Sequence, residues 1–283
     1  MEPSWPVRLF GKSVLKQTKF KQITDLLGPT EGLHCLDIGS DNGVISYLLH
    51  KRGGSWKSAD LDERSVRAME ELVGTEVYRI DGKRTPFRDD EFDCVVIVDF
   101  IEHIADDHGF MGEVYRILKP GGTLILNAPH AKNDLLVRFR KAIGLTDEDH
   151  GHLRPGYTLG SVKWLLGGRF ALQTFGTYTK FFSKFMDTLM VYAISRLKRG
   201  KQEERSGRGV LVTGKEMREY RTGFAVYSLI YPAVRLFSLL DALLFWTSGY
   251  MLVAKARSTK PARAGQEGGE RELVSTKQER GVA

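Results

Sequence analysis

Five short apolar runs alternate with helical segments along the first half of the chain. The runs cover 33–38, 56–60, 76–80, 94–99 and 123–128, and the helical segments lie near 43–51, 63–72 and 107–118. Because each crossover helix covers one side of a sheet, this alternation predicts parallel strands that are buried on both faces. We therefore expect an α/β fold that binds its ligand at the carboxyl ends of the strands.

Two further predicted strands, 169–178 and 249–256, are separated by a long apolar and basic segment. Residues 181–197 predict a helix with one apolar and one polar face, and 224–246 predict a second helix that is apolar nearly all round. Pro232, Arg235 and Asp241 interrupt the second run, so we expect it to lie in a membrane interface rather than to span a bilayer. The alternative is that the two helices pack as a cap over the active site or as a dimer interface.

The N-terminal segment 9–27 predicts an amphipathic helix with Leu15 and Ile23 facing inward. We expect its lysines, Lys12, Lys16 and Lys19, to form a solvated face; the alternative is that the helix covers the ligand. The domain plan predicted in this way has five parts: 1–30, an N-terminal helix; 31–178, the ligand-binding core; 179–248, a helical insertion; 249–257, the last core strand; and 258–283, a disordered tail.

Composition and charge indicate which kinds of partner and which cellular compartment to expect. The 283 residues are 42% hydrophobic and carry a formal net charge of +7, which favours an anionic partner such as nucleic acid or the anionic face of a membrane. Basic residues cluster at 12–21, at 196–201 and from 255 onward. Cys35 and Cys94 fall inside predicted strands and are expected to be buried free thiols, as in a reducing interior. The N-terminus lacks the pattern of a secretory signal, so we expect a cytoplasmic protein.

A glycine turn joins the first strand to the first helix. The turn runs from Asp37 to Gly43, and Asp60 closes the second strand about twenty residues later. Such glycines let the backbone approach an adenosine ligand, and the later acid can accept the ribose hydroxyls. The turn lacks the glycines of a dinucleotide site, and its two acids, Asp37 and Asp41, would repel a pyrophosphate but attract a sulfonium and an ammonium. The pattern therefore favours S-adenosylmethionine over a nicotinamide cofactor.

At these residues the chain resembles the class I S-adenosylmethionine-dependent methyltransferases. Asp37, Gly39 and Gly43 match the first motif of that family, and Asp41 stands where its middle glycine normally lies. The resemblance continues in order from residue 33 to residue 130. It implies a Rossmann-like, seven-stranded and mostly parallel sheet with an antiparallel last strand, helices on both faces, and here a helical insertion between strands six and seven. The cofactor contacts predicted from the sequence and the resemblance are Asp37, Gly39, Ser40, Asp41, Gly43, Asp60, Leu61, Asp81, Gly82 and Asp99.

Within this resemblance, Asp60 is implied to hold the ribose and Asp81 to contact the adenine amino group. Methyl transfer is an in-line displacement that also needs an acceptor for the proton of the nucleophile. His152 lies in a segment that resembles the His-x-Arg-x-x-Tyr pattern of the family, and we expect it to be the base. His130 is the second candidate.

The spacing Asp99-x-x-Glu102-His103 resembles a segment of the ubiquinone-biosynthesis O-methyltransferases, in the methyltransferase type 11 group. Some of these enzymes are metal-assisted, and carboxylates with a histidine could hold a divalent ion. The same Glu-His pair is widespread in family members that use no metal. Glu102 and His103 are therefore predicted as catalytic residues, and no metal ligand is predicted.

The function expected from these features is S-adenosylmethionine-dependent O-methylation of a lipid-like or lipid-linked acceptor at the cytoplasmic face of a membrane. The alternatives are methylation of a soluble small molecule or a nucleic acid, and a non-catalytic cofactor-binding scaffold. Enzymes that methylate base amino groups carry Asp/Asn-Pro-Pro-Tyr/Phe after strand four, to hold a flipped base. This chain instead has the sequence Asp-Phe-Ile-Glu at 99–102, so a nucleic acid is not the expected acceptor.

Overall fold

The computed structural model describes residues 4–74, 76–145, 151–197 and 221–262. Its strands are β1 His34–Ile38, β2 Ser55–Asp60, β3 Val77–Arg79, β4 Phe92–Val98, β5 Leu118–Pro129, β6 Phe170–Tyr178 and β7 Met251–Ser258. They form one sheet in the order β3-β2-β1-β4-β5-β7-β6. Strands β1 to β5 pair in parallel, and β7 is antiparallel to both β5 and β6. The predicted fold class is confirmed.

Helices cover both faces of this sheet. They are α1 Trp5–Phe10, α2 Val14–Leu27, α3 Val44–His50, α4 Glu63–Val73, α5 Asp107–Ile117, α6 Leu135–Ala142, α7 Leu159–Leu166, α8 Phe181–Leu197 and α9 Arg221–Ser238, with 3₁₀ turns at Ile101–His103 and Leu239–Leu244. Ile23 of α2 and Leu49 of α3 pack in one apolar cluster, and Met111 of α5 and Leu165 of α7 pack in another. Burial on both faces explains why the strands are almost wholly apolar.

Three predicted elements have different bounds in the structure. The N-terminal helix is broken before Ser13, whose Oγ accepts the Lys16 amide at 3.3 Å and so caps α2. Strand β5 begins at Leu118 because this residue pairs with Phe92 before a register shift. The predicted helix 224–246 ends at Ser238 and continues as a 3₁₀ turn.

The last core strand also runs further than predicted. Strand β7 ends at Ser258, and Lys260 donates from Nζ to the carbonyl oxygens of Leu118 at 2.6 Å and Arg116 at 2.8 Å. Residues 258–260, which were predicted to belong to a disordered tail, are therefore part of the folded structure. Residues 263–283 of that tail, and 198–201 of the predicted basic cluster, lie outside the described residues.

The two cysteines are neighbours in the sheet. Cys35 on β1 and Cys94 on β4 are register partners, and both are buried free thiols. A hydrogen bond between the two side chains, together with burial, raises the pKa of the Cys94 thiol well above its usual value. The prediction of small buried thiols rather than a disulfide is confirmed.

Candidate cofactor and acceptor site

A cavity of about 440 Å³ opens at the carboxyl ends of β1, β4 and β5. It brings together eight residues predicted from separate parts of the sequence: Gly39, Ser40, Asp41, Asp99, Glu102, His103, His130 and His152. Apolar side chains form another part of its wall: Leu15, Val44, Val98, Val137 and Val191. The cavity therefore combines polar groups at the strand ends with apolar surface, as ligand sites in open α/β sheets do.

The glycine turn fits between two neighbouring segments of backbone. Gly39 has a φ of 91°, and a Cβ there would lie 2.5 Å from the Val98 carbonyl oxygen and 2.6 Å from the Cβ of Phe100. Gly43 has a φ of 74°, and a Cβ there would lie 2.8 Å from the Cα of Met69. Because both positions combine a left-handed conformation with contact against fixed atoms, only glycine fits.

Replacing Gly39 with alanine is therefore expected to lower the free energy of unfolding by about 3 kcal/mol, from left-handed strain plus overpacking. Gly74→Ala is the matched control, because Gly74 has a φ of 93° and a Cβ there would have no other atom within 4 Å. In this variant only backbone strain should lower the free energy of unfolding, by about 1 kcal/mol. Urea unfolding of both variants measures the difference, and equal losses would contradict the close contact at Gly39.

Asp37 lies behind the turn rather than in the cavity. Its carboxylate is fully buried and accepts hydrogen bonds from the hydroxyls of Ser40 at 2.9 Å, Ser46 at 2.6 Å and Ser58 at 2.7 Å. These three donors tie β1, the turn, α3 and β2 together. The structure thus corrects the expectation that Asp37 and Asp41 face the ligand together, since of this pair only Asp41 lines the cavity.

The residues predicted for the nucleoside lie at the ends of β2 and β3. Asp60 is fully buried at the end of β2, and its Oδ1 accepts the amide of Asp62 at 3.2 Å. Leu61 and Asp81 line a separate shallow groove. Backbone hydrogen bonds from Arg84 and Lys83 lower the pKa of Asp81, which keeps this exposed carboxylate ionised.

Ile104 packs against this predicted nucleoside region, and the sequence did not indicate it. A Cβ on Gly82 would lie 2.5 Å from Ile104 Cδ1 and 3.3 Å from Leu61 Cδ2. The missing side chain at Gly82 therefore makes room for two apolar groups. No local pattern could have shown this contact, because Ile104 follows the 3₁₀ turn after β4, a different part of the sheet edge.

Helix α2 covers one side of the cavity with its lysines. Lys16 and Lys19 both line it, and Lys19 forms an ion pair with Asp99. Burial lowers the pKa of the Lys16 ammonium, against the opposing attraction of Asp41. The prediction that these lysines form a solvated face is wrong for Lys16 and Lys19, because a ligand pocket rather than bulk solvent lies beneath them.

Glu102, His103 and His152 form one cluster in the cavity wall. Their ligand-type atoms all lie within 4.8 Å of one another, and the two imidazole centroids are 4.9 Å apart. Glu102 is fully buried in the 3₁₀ turn, and its carbonyl oxygen accepts the amide of Leu153 at 3.0 Å. That backbone bond brings the loop carrying His152 to the turn that carries the other two residues.

Hydrogen bonds to carbonyl oxygens define the state of two histidines. His103 Nδ1 lies 3.0 Å from the Gly151 oxygen, and His130 Nδ1 lies 2.8 Å from the Gly249 oxygen. A carbonyl only accepts, so Nδ1 is the donor in each contact. Nε2 of a neutral ring is then the atom able to take a proton. Both rings can therefore act as bases, but His103 has a carboxylate and a second imidazole beside it.

Arg154 and Tyr157 hold the loop rather than the ligand. Arg154 forms an ion pair with Asp107 and donates to the Ile104 carbonyl oxygen at 2.8 Å. The Tyr157 hydroxyl lies 2.9 Å from the Asp107 carboxylate and 3.1 Å from the carbonyl oxygen of Ile101. Neither residue lines the cavity, which His152 and Pro155 of the same segment reach.

The donor set of Glu102, His103 and His152 also fits a divalent metal ion. One carboxylate and two imidazoles are a common three-ligand set for a catalytic ion with an open position. The carbonyl partner of His103 Nδ1 is the usual outer support of a metal-binding histidine. The sequence predicted no metal ligand, and the geometry makes these three residues the candidates.

The opposite wall carries charged residues that the sequence did not indicate. Arg140 of α6 is buried and donates from Nη1 to Thr188 Oγ1 at 2.9 Å, with the Asp187 carboxylate at 3.9 Å. Lys184 Nζ lies 3.4 Å from the same carboxylate. Lys184, Asp187 and Thr188 were predicted only as part of the polar face of the helix 181–197. The sequence could not show their partner, because the contact of Arg140 with Thr188 spans 48 residues.

Comparisons with known proteins agree with this geometry. Residues 36–126 match a family of sequences described as a methyltransferase domain. The ubiquinone biosynthesis O-methyltransferase of Paramagnetospirillum magneticum is 32% identical over 124 residues, which are 42% of this chain and 50% of the relative. The ubiquinone/menaquinone biosynthesis C-methyltransferase of a Ruegeria species is 31% identical over 125 residues, or 41% and 50% of the two chains.

The chain spans about half the length of these curated relatives. A crystal structure from Bacillus halodurans shares the fold, with a TM-score of 0.53 and 19% identity over 86% of this chain and 98% of that one. The family match runs from within β1 to within β5, and it includes the glycine turn, Asp60, Asp81 and Glu102. Residues 36–126 therefore match a methyltransferase domain, and this region carries most of the residues predicted to bind S-adenosylmethionine.

Proposed function

We propose that this protein transfers the methyl group of S-adenosylmethionine to an oxygen of a lipid-like or lipid-linked acceptor at the cytoplasmic face of a membrane. The observation that carries the proposal is the Glu102, His103 and His152 cluster in the wall of the cavity formed by the glycine turn. A carboxylate and two imidazoles beside a sulfonium site are suited to removing a proton from a hydroxyl.

The acceptor class is supported by relatives and by the cavity itself. The relatives named above act, by their names, in ubiquinone and menaquinone biosynthesis. The cavity offers apolar wall from Leu15, Val137 and Val191, which suits a greasy acceptor. Oxygen is the proposed methyl acceptor because the base cluster can take the proton of a hydroxyl.

In the proposed mechanism the acceptor hydroxyl lies between the donor methyl group and the cluster. A ring nitrogen of His152, or Nε2 of His103, takes the hydroxyl proton while the oxygen attacks the methyl carbon. The carbon–sulfur bond breaks on the opposite side, leaving a methyl ether and S-adenosylhomocysteine. The Glu102 carboxylate stabilises the imidazolium that forms, and Asp41 provides negative charge near the sulfonium before transfer.

A divalent ion held by the same three residues would lower the pKa of the acceptor hydroxyl as a Lewis acid. The metal content of the purified protein distinguishes the two arrangements. Stoichiometric metal in the wild type that is absent from a Glu102→Gln variant would assign the cluster to an ion. Full activity after treatment with a chelator would assign it to proton transfer.

The direct test uses purified protein, methyl-labelled S-adenosylmethionine and three acceptor pools from the host: membrane lipids, water-soluble metabolites and nucleic acids. The proposal predicts label in a lipid, found by mass analysis as an added methyl group. Label only in the aqueous pool would remove the lipid acceptor and keep the methyltransferase. Label only in nucleic acid would replace the proposed acceptor altogether.

A further inference from the structure

Large apolar side chains cover the outer side of α9 and of the 3₁₀ turn that follows it. Six of them are between 62% and 82% exposed: Leu229, Leu236, Leu239, Leu243, Phe245 and Trp246. We call these six residues the apolar docking surface. Exposed apolar surface of this extent on a folded chain marks a contact with a membrane or with another protein.

Two polar residues of the same segment, Tyr231 and Asp241, face the protein. The Tyr231 hydroxyl accepts a hydrogen bond from Gln17 Nε2 at 3.0 Å, and Tyr231 is buried. Asp241 accepts the amides of Lys180 at 2.9 Å and Phe182 at 2.8 Å, which holds the start of α8. Asp241, one of the three residues that interrupt the run in the sequence, and Tyr231 are therefore engaged on the inner side.

This anchoring places the segment along a membrane surface rather than across it. The stretch Tyr227–Leu244 is long and apolar enough to cross a bilayer, and 11% of it is buried in the structure. Crossing would carry Asp241 away from α8 and Tyr231 away from α2, leaving polar groups without partners in hydrocarbon. A helix bound in the plane of the interface keeps these bonds and buries only its apolar side.

Helix α8 is oriented in the same way. Its Thr188 and Ser183 are buried against the protein, whereas Phe181 is 40% exposed and Leu189 is 41% exposed. In a helix that contacts only water, the polar side would face outward. Both helices of the insertion thus turn apolar residues outward, which a single solvated molecule does not explain.

Basic residues adjoin the apolar docking surface. Neither α6 nor α9 contains an acidic residue, and Arg138, Lys141 and Arg235 are exposed on them. Two contacts hold the start of α6 beside the chain that follows Trp246: Lys132 Nζ donates to the Ser248 carbonyl oxygen at 2.9 Å, and the Tyr250 hydroxyl donates to Asp134 at 2.5 Å.

The charge pattern favours a membrane over a second copy of the chain as the partner of the apolar docking surface. Cations beside exposed apolar groups are complementary to an anionic lipid surface. A two-fold interface would instead bring identical basic patches towards one another. The sequence at 198–220, outside the described residues, adds seven basic and four acidic residues to this part of the chain.

We propose that the apolar docking surface binds the anionic face of a membrane, with Arg138, Lys141 and Arg235 at the level of the lipid head groups. Lys141 is exposed and also lines the cavity, so the cavity opens beside the bound membrane. An acceptor held in the bilayer then enters between α6 and α8. This delivery route rests on the proposed function, whereas membrane binding does not.

The test is flotation of the full-length protein with vesicles of phosphatidylcholine alone or mixed with phosphatidylglycerol. Binding is expected to the mixed vesicles, to be weaker on pure phosphatidylcholine, and to weaken in high salt. The double variant Phe245→Ser/Trp246→Ser should reduce the partition coefficient about a hundredfold, because two large exposed rings no longer enter the interface. Trp164→Ser is the matched control, since Trp164 is 64% exposed but lies on α7.

Two further measurements separate this proposal from its rivals. Unchanged stabilisation of the double variant by S-adenosylmethionine shows that its core is folded, and Leu236→Glu/Leu239→Glu gives a second, independent loss of binding. The proposal is overturned if the wild-type protein binds neither vesicle type. It is also overturned if light scattering shows that the wild-type protein is a dimer in buffer and that the variant Phe245→Ser/Trp246→Ser is a monomer. Failure of methyl transfer with retained vesicle binding would instead count against the proposed function.

Discussion

Replacing His152 with alanine is expected to reduce the turnover number about 10²- to 10⁴-fold, the usual contribution of a positioned general base. His152 lies in the cavity wall with its ring 4.9 Å from that of His103, and Glu102 completes the cluster. Affinity for S-adenosylmethionine should stay within about twofold, because the proposed proton transfer involves the acceptor and not the donor. Production of S-adenosylhomocysteine on a lipid extract measures the turnover, and calorimetry measures the affinity.

His108→Ala is the matched control for this experiment. His108 is also a half-buried histidine, but its ring packs on Trp164 and it does not line the cavity. It should keep nearly full turnover. Equal turnover in the two histidine variants would contradict the assignment of His152, and a loss confined to His130→Ala would move the base to the other side of the cavity. Loss of bound metal together with activity in His152→Ala would show that the cluster acts by holding an ion.

Replacing Asp60 with alanine is expected to raise the dissociation constant for S-adenosylmethionine about 100-fold. A carboxylate that accepts two ribose hydroxyls makes charge-assisted hydrogen bonds worth about 1.5–3 kcal/mol each. Asp60 is placed for this role at the carboxyl end of β2, next to β1 with its glycine turn, and the amide of Asp62 orients its Oδ1. Isothermal calorimetry measures the change directly.

Asp25→Asn serves as the control, because Asp25 is an exposed acid in a surface pair with Lys21. Its affinity should match that of the wild type. Asp60→Asn keeps the shape of the side chain and should show an intermediate loss, since an amide oxygen still accepts while the charge is gone. Retained affinity in Asp60→Ala, with an unchanged unfolding transition, would show that another group holds the ribose.

The elements that could be predicted from the sequence are those fixed by local patterns. The strands of the core are apolar because both faces of the sheet are covered, so their positions along the chain and the glycine turn could be predicted from the sequence. Gly39 and Gly43 could also be predicted, because glycine is the residue that most readily adopts the positive φ that this turn requires. Glu102 and His103 were predicted because their segment, just after a buried strand, resembles one in the ubiquinone-biosynthesis O-methyltransferases.

The features of the site that could not be predicted from the sequence depend on contacts between segments that are distant along the chain. Asp37 was expected in the pocket, but three hydroxyls from different elements enclose it, and nothing in its neighbours along the chain shows this. Lys16 and Lys19 look like a solvated face until α2 is seen to lie over the cavity. Arg140 meets Thr188 only because the insertion folds back against α6. Periodicity shows which residues share a face, but it does not show what that face meets.

The central claim is that the site at the glycine turn binds a sulfonium nucleoside, and thermal unfolding with added ligand tests it most directly. At about 100 times its dissociation constant, a ligand of the folded state adds about 2.7 kcal/mol of stability. For a chain of this size we predict a rise of about 5–10 °C in the melting temperature with S-adenosylmethionine or S-adenosylhomocysteine, and none with NADH. A rise with NADH and no response to either sulfur compound would contradict this account.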